Sequence, residues 1–512
     1  LRKACRQRVG GFSILSEKEV DYMGQVALDT STKSSGLDKK PKPYKMTIDL
    51  LMGPILFLAV LMILPESIFS FAARGALATM TWMIAWWITR PIHLGVTSLL
   101  PILLNAAFGF IPMGDVLTNY ASEVVILLLG ANIITVSWSA SGLDNRIALR
   151  ALCLIGPSVK QQIVVWFTIA VVLSIFLPNT IVCAVLVPVA ISMLRFIGED
   201  DVSKSEIATV LLLAIAWGAG LGGFGSPLGG AMNLVSISYI EELTGNEYMY
   251  IDWVVRMMPM LIIISLINIA YLFSMKLNRK ELNGSKEFFV NEYKKLEKAN
   301  TAQKWGMWLF VLATVFAFAR PMYSGILPGF KPAFAFLLFG FLAFIVPGNN
   351  GERLLTWKYT SPRLMWGLFY LFAGGMAVGK LLTGSGAATA IAGLISSMSL
   401  TGGILTIAIF AVLGVFLCNV SSDTAATAIA IPIVITVAQS LKLNPIAYIY
   451  ITSVACNCAY ILPTSVRAIP VGYGLDPREL LKRGMVLIFL SLAAVTVFGY
   501  LFLKFWPGYS IA

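Results

Sequence analysis

Two polar triplets interrupt an otherwise apolar chain. Pro178-Asn179-Thr180 is followed eight residues after Thr180 by Pro188, and Ser422-Asp423-Thr424 is followed eight residues after Thr424 by Pro432. Asn179, Thr180, Ser422 and Thr424 carry amide and hydroxyl groups that can donate hydrogen bonds to an anion. A helix starting at each triplet adds backbone N–H groups and the positive end of its dipole. Asn and Thr also serve as plain helix caps, but the recurrence of the pattern favours binding. Arg467 is the sharpest single residue, since it lies in the apolar segment that holds Pro463-Thr464-Ser465-Val466-Arg467. A charge there is expensive and usually functional. Its planar fork suits a carboxylate, and Asp423 is the matching acid. Covalent chemistry has little support. One histidine, His93, argues against a histidine metal cluster or a catalytic triad, and Cys456-Asn457-Cys458 lacks metal-site spacing. The residues present suit filling, moving and emptying a polar site.

Each triplet sits near the middle of an apolar stretch of roughly 36 residues. One straight helix of that length would reach ~54 Å, far beyond the ~30 Å hydrocarbon core. Two short helices meeting at a polar tip fit better, with the tip buried in protein or facing water. Paired interrupted segments in corresponding places of two halves point to a transporter's binding site. The tips are therefore expected to form two sides of one substrate site.

The 512 residues are 58% apolar and 12% charged, with mean hydropathy +0.81. That composition excludes a soluble globular domain and indicates an all-α polytopic membrane protein. The net charge of +12 lies mostly in the N-terminal tail and the loops, the pattern of topology signals and lipid headgroup contact. No nucleic-acid partner is expected.

Residues 1–46 form a basic tail, expected to be cytoplasmic and without a cleavable signal peptide. The first half, 47–275, carries spans near 47–64, 68–89, 92–111 and 121–141. A short loop with Asp144, Arg146 and Arg150 follows, then a re-entrant hairpin at 161–197 and a broken helix at 207–237. The break is Gly222-Gly223-Phe224-Gly225-Ser226-Pro227-Leu228-Gly229-Gly230, where so many glycines argue for unwinding. A span at 254–275 ends this half. The loop 276–304 mixes lysines with glutamates at helical spacing, which predicts a solvated surface helix on the cytoplasmic side. The second half, 305–512, repeats the order, with a hairpin at 402–439, a broken helix at 446–474 and a last span at 484–506. The total is about eleven transmembrane helices and two hairpins. With five spans between the tips, these enter from opposite faces and the halves are inverted.

The two triplets and two breaks resemble the divalent anion/sodium symporter family over roughly 75–485. That family pairs Ser-Asn-Thr tips with breaks that usually end Thr-Pro-Pro-Asn. The resemblance implies a homodimeric elevator-type transporter of succinate, malate, citrate, 2-oxoglutarate or sulfate. It also implies that tips and breaks hold substrate and two sodium ions. On the matching positions the substrate residues are Asn179, Thr180, Ser422, Asp423, Thr424, Gly225, Ser226, Asn233, Pro463 and Arg467. The departures are specific. Pro178 replaces the first tip serine and Asp423 the second tip asparagine. The breaks end Gly230-Ala231-Met232-Asn233 and Val466-Arg467-Ala468-Ile469. Ser174 stands where the family often has a sodium-ligand serine, while its second-half counterpart is Cys418, a poor ligand for a hard cation. A residual sodium site at Ser174 and Asn179 is the only ion site expected, and no other cofactor is expected.

The function read from these features is secondary transport of C4/C5 dicarboxylates across the cytoplasmic membrane. Arg467, charged at all ordinary pH, would hold a substrate carboxylate or stand in for a sodium ion; it leaves an empty site positive unless Asp423 pairs with it, which favours exchange without sodium. The alternative is a sodium- or proton-coupled symporter, with Asp423 titrating. An integral-membrane enzyme lacks any nucleophile, metal or diphosphate cluster, and a channel fits paired mid-membrane tips less well. Asn132 and Asn233 are polar groups within spans that could line the site or satisfy broken backbone, and only Asn233 is expected to line it; His93 is expected to be scaffold or interface. Lys380, near a span end, is expected to snorkel.

Overall fold

The computed structural model describes residues 43–511 apart from 200, 276, 278, 350, 388, 391–401, 421 and 464, with the side chains of 43–46 and 465 also left aside. The basic tail expected over 1–46 lies outside the described residues through 42, as does Thr464 of the second break. The principal helices are α1 (Pro43–Ile63), α2 (Phe71–Thr89), α3 (Leu94–Thr97), α4 (Leu100–Phe108), α5 (Glu123–Ser141), α6 (Leu143–Leu152), α7 (Val159–Phe176), α8 (Asn179–Phe196), α9 (Glu206–Gly222), α10 (Ala231–Thr244), α11 (Tyr250–Ser274) and α12 (Ser285–Lys295). The second half follows with α13 (Thr301–Phe318), α14 (Pro332–Leu342), α15 (Trp366–Gly384), α16 (Ile404–Val420), α17 (Asp423–Ser440), α18 (Pro445–Ala455), α19 (Ala468–Gly472) and α20 (Pro477–Phe505). Among the described residues, eight helices are long and apolar enough to cross a membrane, and five shorter apolar helices accompany them. Several of the shorter pieces belong to interrupted segments, such as α3 with α4 and α18 with α19.

The core is built on α9, whose residues from Ile207 to Gly222 are all buried. A helix apolar all round has no solvated face to keep, so it goes to the centre. It packs tightly on α7 because Gly218 and Gly222 stand one turn apart on the shared face. A Cβ at Gly218 would lie 2.7 Å from the Phe167 carbonyl, and one at Gly222 would collide with the Val171 carbonyl. Small residues four apart let two backbones approach this closely in a membrane.

The stretch with Asp144, Arg146 and Arg150, expected as a loop, is the helix α6. Gly142 takes a left-handed conformation (φ 69°), closes α5 and lets a new helix start at Leu143. Asp144 sits in its first turn and Arg150 in its last, each suited to the helix dipole. The charged stretch after α11 contains α12, which buries Ser285 and Phe289 and turns its charged residues outward. Lys380, expected to snorkel, is partly exposed and pairs with the exposed Glu242 at 3.1 Å.

Candidate functional site

Helices α8 and α17 begin at the two triplets. Pro178 precedes α8 with φ −52°, and its fixed ring turns the extended Leu177 into the helix. At α17 the Ser422 hydroxyl accepts from the Ala425 N–H at 3.2 Å, an ordinary N-cap. Residues 178–180 and 422–424 all line one cavity of about 230 Å³. Leu228 to Met232 of the first break and Ile469 after the second complete this part of the wall. The Asn179 amide and the Thr180 and Thr424 hydroxyls make no hydrogen bond among the described residues. Three donors therefore remain available to a ligand.

The first break is held from within. Asn233 is fully buried and its amide donates to the carbonyls of Gly223 and Ser226, both at 2.7 Å. Ser226 donates to the Ile175 carbonyl beside the first tip and accepts from Leu228 N–H at 3.2 Å. Gly225 packs against Ile175 and Leu261, where a Cβ would come within 2.8 Å of both. Gly225, Ser226 and Asn233 do not line the cavity; they fix the backbone that does. Oxygens gather around Gly229: a Cβ there would meet the carbonyls of Ser174, Gly223 (2.7 Å) and Ile175 (3.0 Å). The Ser174 hydroxyl and the Asn233 side-chain oxygen are buried with no hydrogen-bond partner among the described residues. Such orphaned hard oxygens beside backbone carbonyls are what a small hard cation takes up, so the residues present fit one sodium ion.

The second break is held differently. Arg467 is 1% exposed. It donates from Nη1 to the Ala459 carbonyl at 3.0 Å and from Nε to the Leu462 carbonyl at 3.1 Å. These carbonyls lie ten and seven residues before Ile469. The two that Asn233 holds lie ten and seven residues before Asn233. Ile469 is the counterpart of Asn233 when the breaks are aligned, so a guanidinium two residues upstream takes the carbonyls an amide takes in the first half. Arg467 Nη2 also lies 3.7 Å from Asp423 Oδ1. Both Asp423 oxygens are buried without a hydrogen bond among the described residues, so this is a loose ion pair. Cys418 is buried and directs its thiol at the Val415 and Ala455 carbonyls. Pro463 follows Leu462 directly and lies off the cavity, as does Arg467 itself, which reaches it through Asp423.

Three further residues act here without having been singled out for it. Asn419 accepts from Tyr460 and Ile461 N–H at 2.9 and 3.2 Å and donates to Cys458 O at 3.1 Å, bracing the second break from α16. Asn132 lines the cavity and accepts from Met365 N–H at 3.2 Å. Arg90 lines it too, from the turn after α2. An asparagine three residues before Ser422 in an apolar run was a readable signal for Asn419; Arg90 resembled an ordinary span-closing charge. His93 accepts from Gly95 N–H at 3.2 Å and caps α3, a structural task, though its ring also borders the cavity.

The profile of the citrate transporter family (CitMHS) matches residues 84–455. The chain belongs to that family. It is also similar to the sodium-dependent dicarboxylate transporter SdcS of Staphylococcus saprophyticus, with 25% identity over 482 residues, 90% of this chain and 91% of the relative. The protein of the same name from Staphylococcus aureus is 27% identical over 464 residues, 85% of this chain and 87% of the relative. Among solved structures, the YdaH transporter of Alcanivorax borkumensis aligns with a TM-score of 0.49 at 11% identity, over 77% of this chain and 88% of that one. The citrate transporter family member described here is a multi-pass membrane transporter and not an enzyme.

Proposed function

We propose that this chain carries C4/C5 dicarboxylates such as succinate, malate, fumarate or 2-oxoglutarate across the cytoplasmic membrane, by exchange and without sodium. The observation that carries the reading is that two triplets more than 240 positions apart line one cavity and leave donors from both unengaged. At about 230 Å³ the cavity is below the roughly 300–1,000 Å³ of drug-sized sites, which suits a small solute. The printed names of the relatives, dicarboxylate transporters, agree with a dianionic cargo.

Exchange rests on Arg467. A guanidinium cannot leave with the cargo as a sodium ion does. An emptied site keeps a buried charge that is costly to move through a low-dielectric barrier, so the carrier resets with a counter-substrate aboard. Asp423, at 3.7 Å, lessens that charge without hydrogen-bonding it. In this reading the tips and breaks travel as one block in an elevator movement, within two inverted halves of a homodimer whose N-terminal tail is cytoplasmic. The Ser226–Ile175 bond and the 2.6 Å Ser236–Ser453 hydroxyl contact support a single block by tying tip to break and α10 to α18.

A second reading has its own observation. The orphaned oxygens of Ser174 and Asn233, with Asn179 beside Gly223, suit one sodium ion carried with the substrate, and the relatives are named sodium-dependent. The test uses purified protein in sealed liposomes, loaded with unlabelled succinate or left empty. Labelled uptake only into loaded vesicles, indifferent to a sodium gradient, supports exchange. Sodium-driven uptake into empty vesicles transfers the conclusion to symport through the first-half oxygens. No uptake of any dicarboxylate overturns both.

A further inference from the structure

The cavity is lined from two parts of the bundle. One part is the tips with the first break. The other is α5, α13 and α14, through Leu128, Asn132, Phe310 and Phe336. These three helices are locked together. A Cβ at Gly130 of α5 would lie 2.5 Å from Leu337 N of α14, and one at Gly340 of α14 would lie 3.0 Å from the Gly130 carbonyl. The two helices therefore pack backbone to backbone. The Trp138 indole N–H of α5 donates to the Gly306 carbonyl of α13 at 2.9 Å. Lys331, just before α14, pairs with Glu123 at the start of α5 at 2.9 Å.

The end of α10 belongs with the breaks. Gly245 closes that helix in a left-handed conformation (φ 70°), and the chain turns into Asn246, Glu247 and Tyr248. The Tyr248 N–H donates to the Glu241 carboxylate at 2.9 Å, and its hydroxyl meets that of Tyr450 in α18 at 2.7 Å. Glu247 is thus fastened to α10 and α18 through its neighbour. It reaches across to Arg320, in the connection between α13 and α14. Arg320 Nε lies 2.7 Å from Oε1 and Nη2 lies 2.8 Å from Oε2, a two-pronged ion pair. The Arg320 and Glu247 side chains are only 3% and 18% exposed. The Lys380–Glu242 pair, from α15 to α10, is 41% and 45% exposed, so water screens it and it holds little. Arg320 also donates to the carbonyls of Leu327 and Pro328 at 2.9 and 2.7 Å. Those bonds stay within its own connection. If the two parts move past each other, the contact that breaks is the one to Glu247.

We propose that the Glu247–Arg320 pair is a latch between the part that carries the breaks and the part built on α5, α13 and α14, and that it opens each time the cargo is moved. A contact made at rest and lost in transit raises the barrier to movement, so the latch slows translocation. This rests on the elevator reading of the proposed function.

The test uses Glu247→Gln, which keeps the size of the side chain and removes its charge. Exchange of labelled succinate is followed in sealed liposomes loaded with unlabelled succinate, with sodium on both sides. Thermal melting and succinate calorimetry accompany it on the purified protein. The expected result is a lower melting temperature, an unchanged succinate affinity and an exchange rate raised roughly 3- to 10-fold. Arg320→Lys keeps the charge but gives up the fork, and its rate should fall between the two. A contact that merely held the fold would, when weakened, lower stability and exchange together, so unchanged or slower exchange in both variants overturns the latch. A second arm joins Glu247→Cys to Arg320→Cys with a short cleavable bis-methanethiosulfonate linker, in a background with Cys5 and Cys153 changed to serine. Linking should stop exchange while succinate still binds, and cleavage should restore it. Exchange through the intact link overturns the proposal and leaves the dicarboxylate reading standing. If the unaltered protein moves no dicarboxylate, that reading falls and the latch falls with it.

Discussion

Replacing Arg467 with methionine leaves a cavity-lining carboxylate without its counter-charge. Arg467→Met removes two charge-assisted bonds, to Ala459 O at 3.0 Å and Leu462 O at 3.1 Å, together with the 3.7 Å ion pair to Asp423. Both partners are almost fully buried, at 1% and 3% exposure. Removing one member of a buried pair costs about 3–5 kcal/mol, chiefly because the other charge stays behind. Asp423→Asn alone leaves the cation buried but still bonded to two carbonyls, so its cost is smaller, about 1–2 kcal/mol. In the double variant no charge is stranded, and the Ala459 and Leu462 carbonyls lose their donor, at about 1–3 kcal/mol. The double variant is therefore more stable than Arg467→Met, and the coupling is about 2 kcal/mol or more. The assay is denaturant unfolding in detergent for the four proteins of the cycle, followed by flux in liposomes. Additive single effects, with coupling under about 0.5 kcal/mol, would refute the pairing of Arg467 with Asp423.

Two other perturbations probe the tips and the first break. A Gly229→Ala methyl would push against the carbonyls of Ser174, Gly223 and Ile175; the expected result is a folded protein, destabilised by about 1–3 kcal/mol, with transport lost and any sodium stimulation abolished, as read by unfolding and liposome uptake. Thr180→Val and Thr424→Val each remove one unengaged hydroxyl from the cavity, and each should weaken succinate binding by roughly 3- to 10-fold with unchanged stability, by calorimetry and thermal melting.

The position of the site was legible because its signal is a repetition. One Asn-Thr pair in an apolar run says little, but two, each followed at the same distance by proline, mark equivalent places in a chain that must bury its broken backbone. The breaks were legible for a similar reason, since glycines from Gly222 to Gly230 leave no room for a regular helix. What each polar side chain does there was less legible. Asn233 and Asn132 look alike in sequence, each a lone amide in an apolar span. Only the folded chain separates them: Asn233 turns inward to hold Gly223 and Ser226, while Asn132 faces the cavity. Arg90 was hidden because a basic residue after three tryptophans is what an ordinary membrane boundary looks like. That the following turn folds toward the tips depends on contacts with α15, which lies more than 270 positions away, such as Gly367 against the His93 ring. The helix α6 was missed because Asp144, Arg146 and Arg150 read as a charged loop, yet the left-handed Gly142 ends one helix where the next begins.

The measurement that tests the central claim most directly asks whether both tips see the same ligand. Asn179→Cys and Thr424→Cys are made singly in a background with Cys5 and Cys153 changed to serine; the remaining cysteines at 183, 418, 456 and 458 are buried. The rate of maleimide labelling is followed as succinate is added. The account predicts that succinate protects both positions, each at the half-maximal concentration at which that same variant binds succinate by calorimetry. Protection of one tip alone would contradict a single shared site.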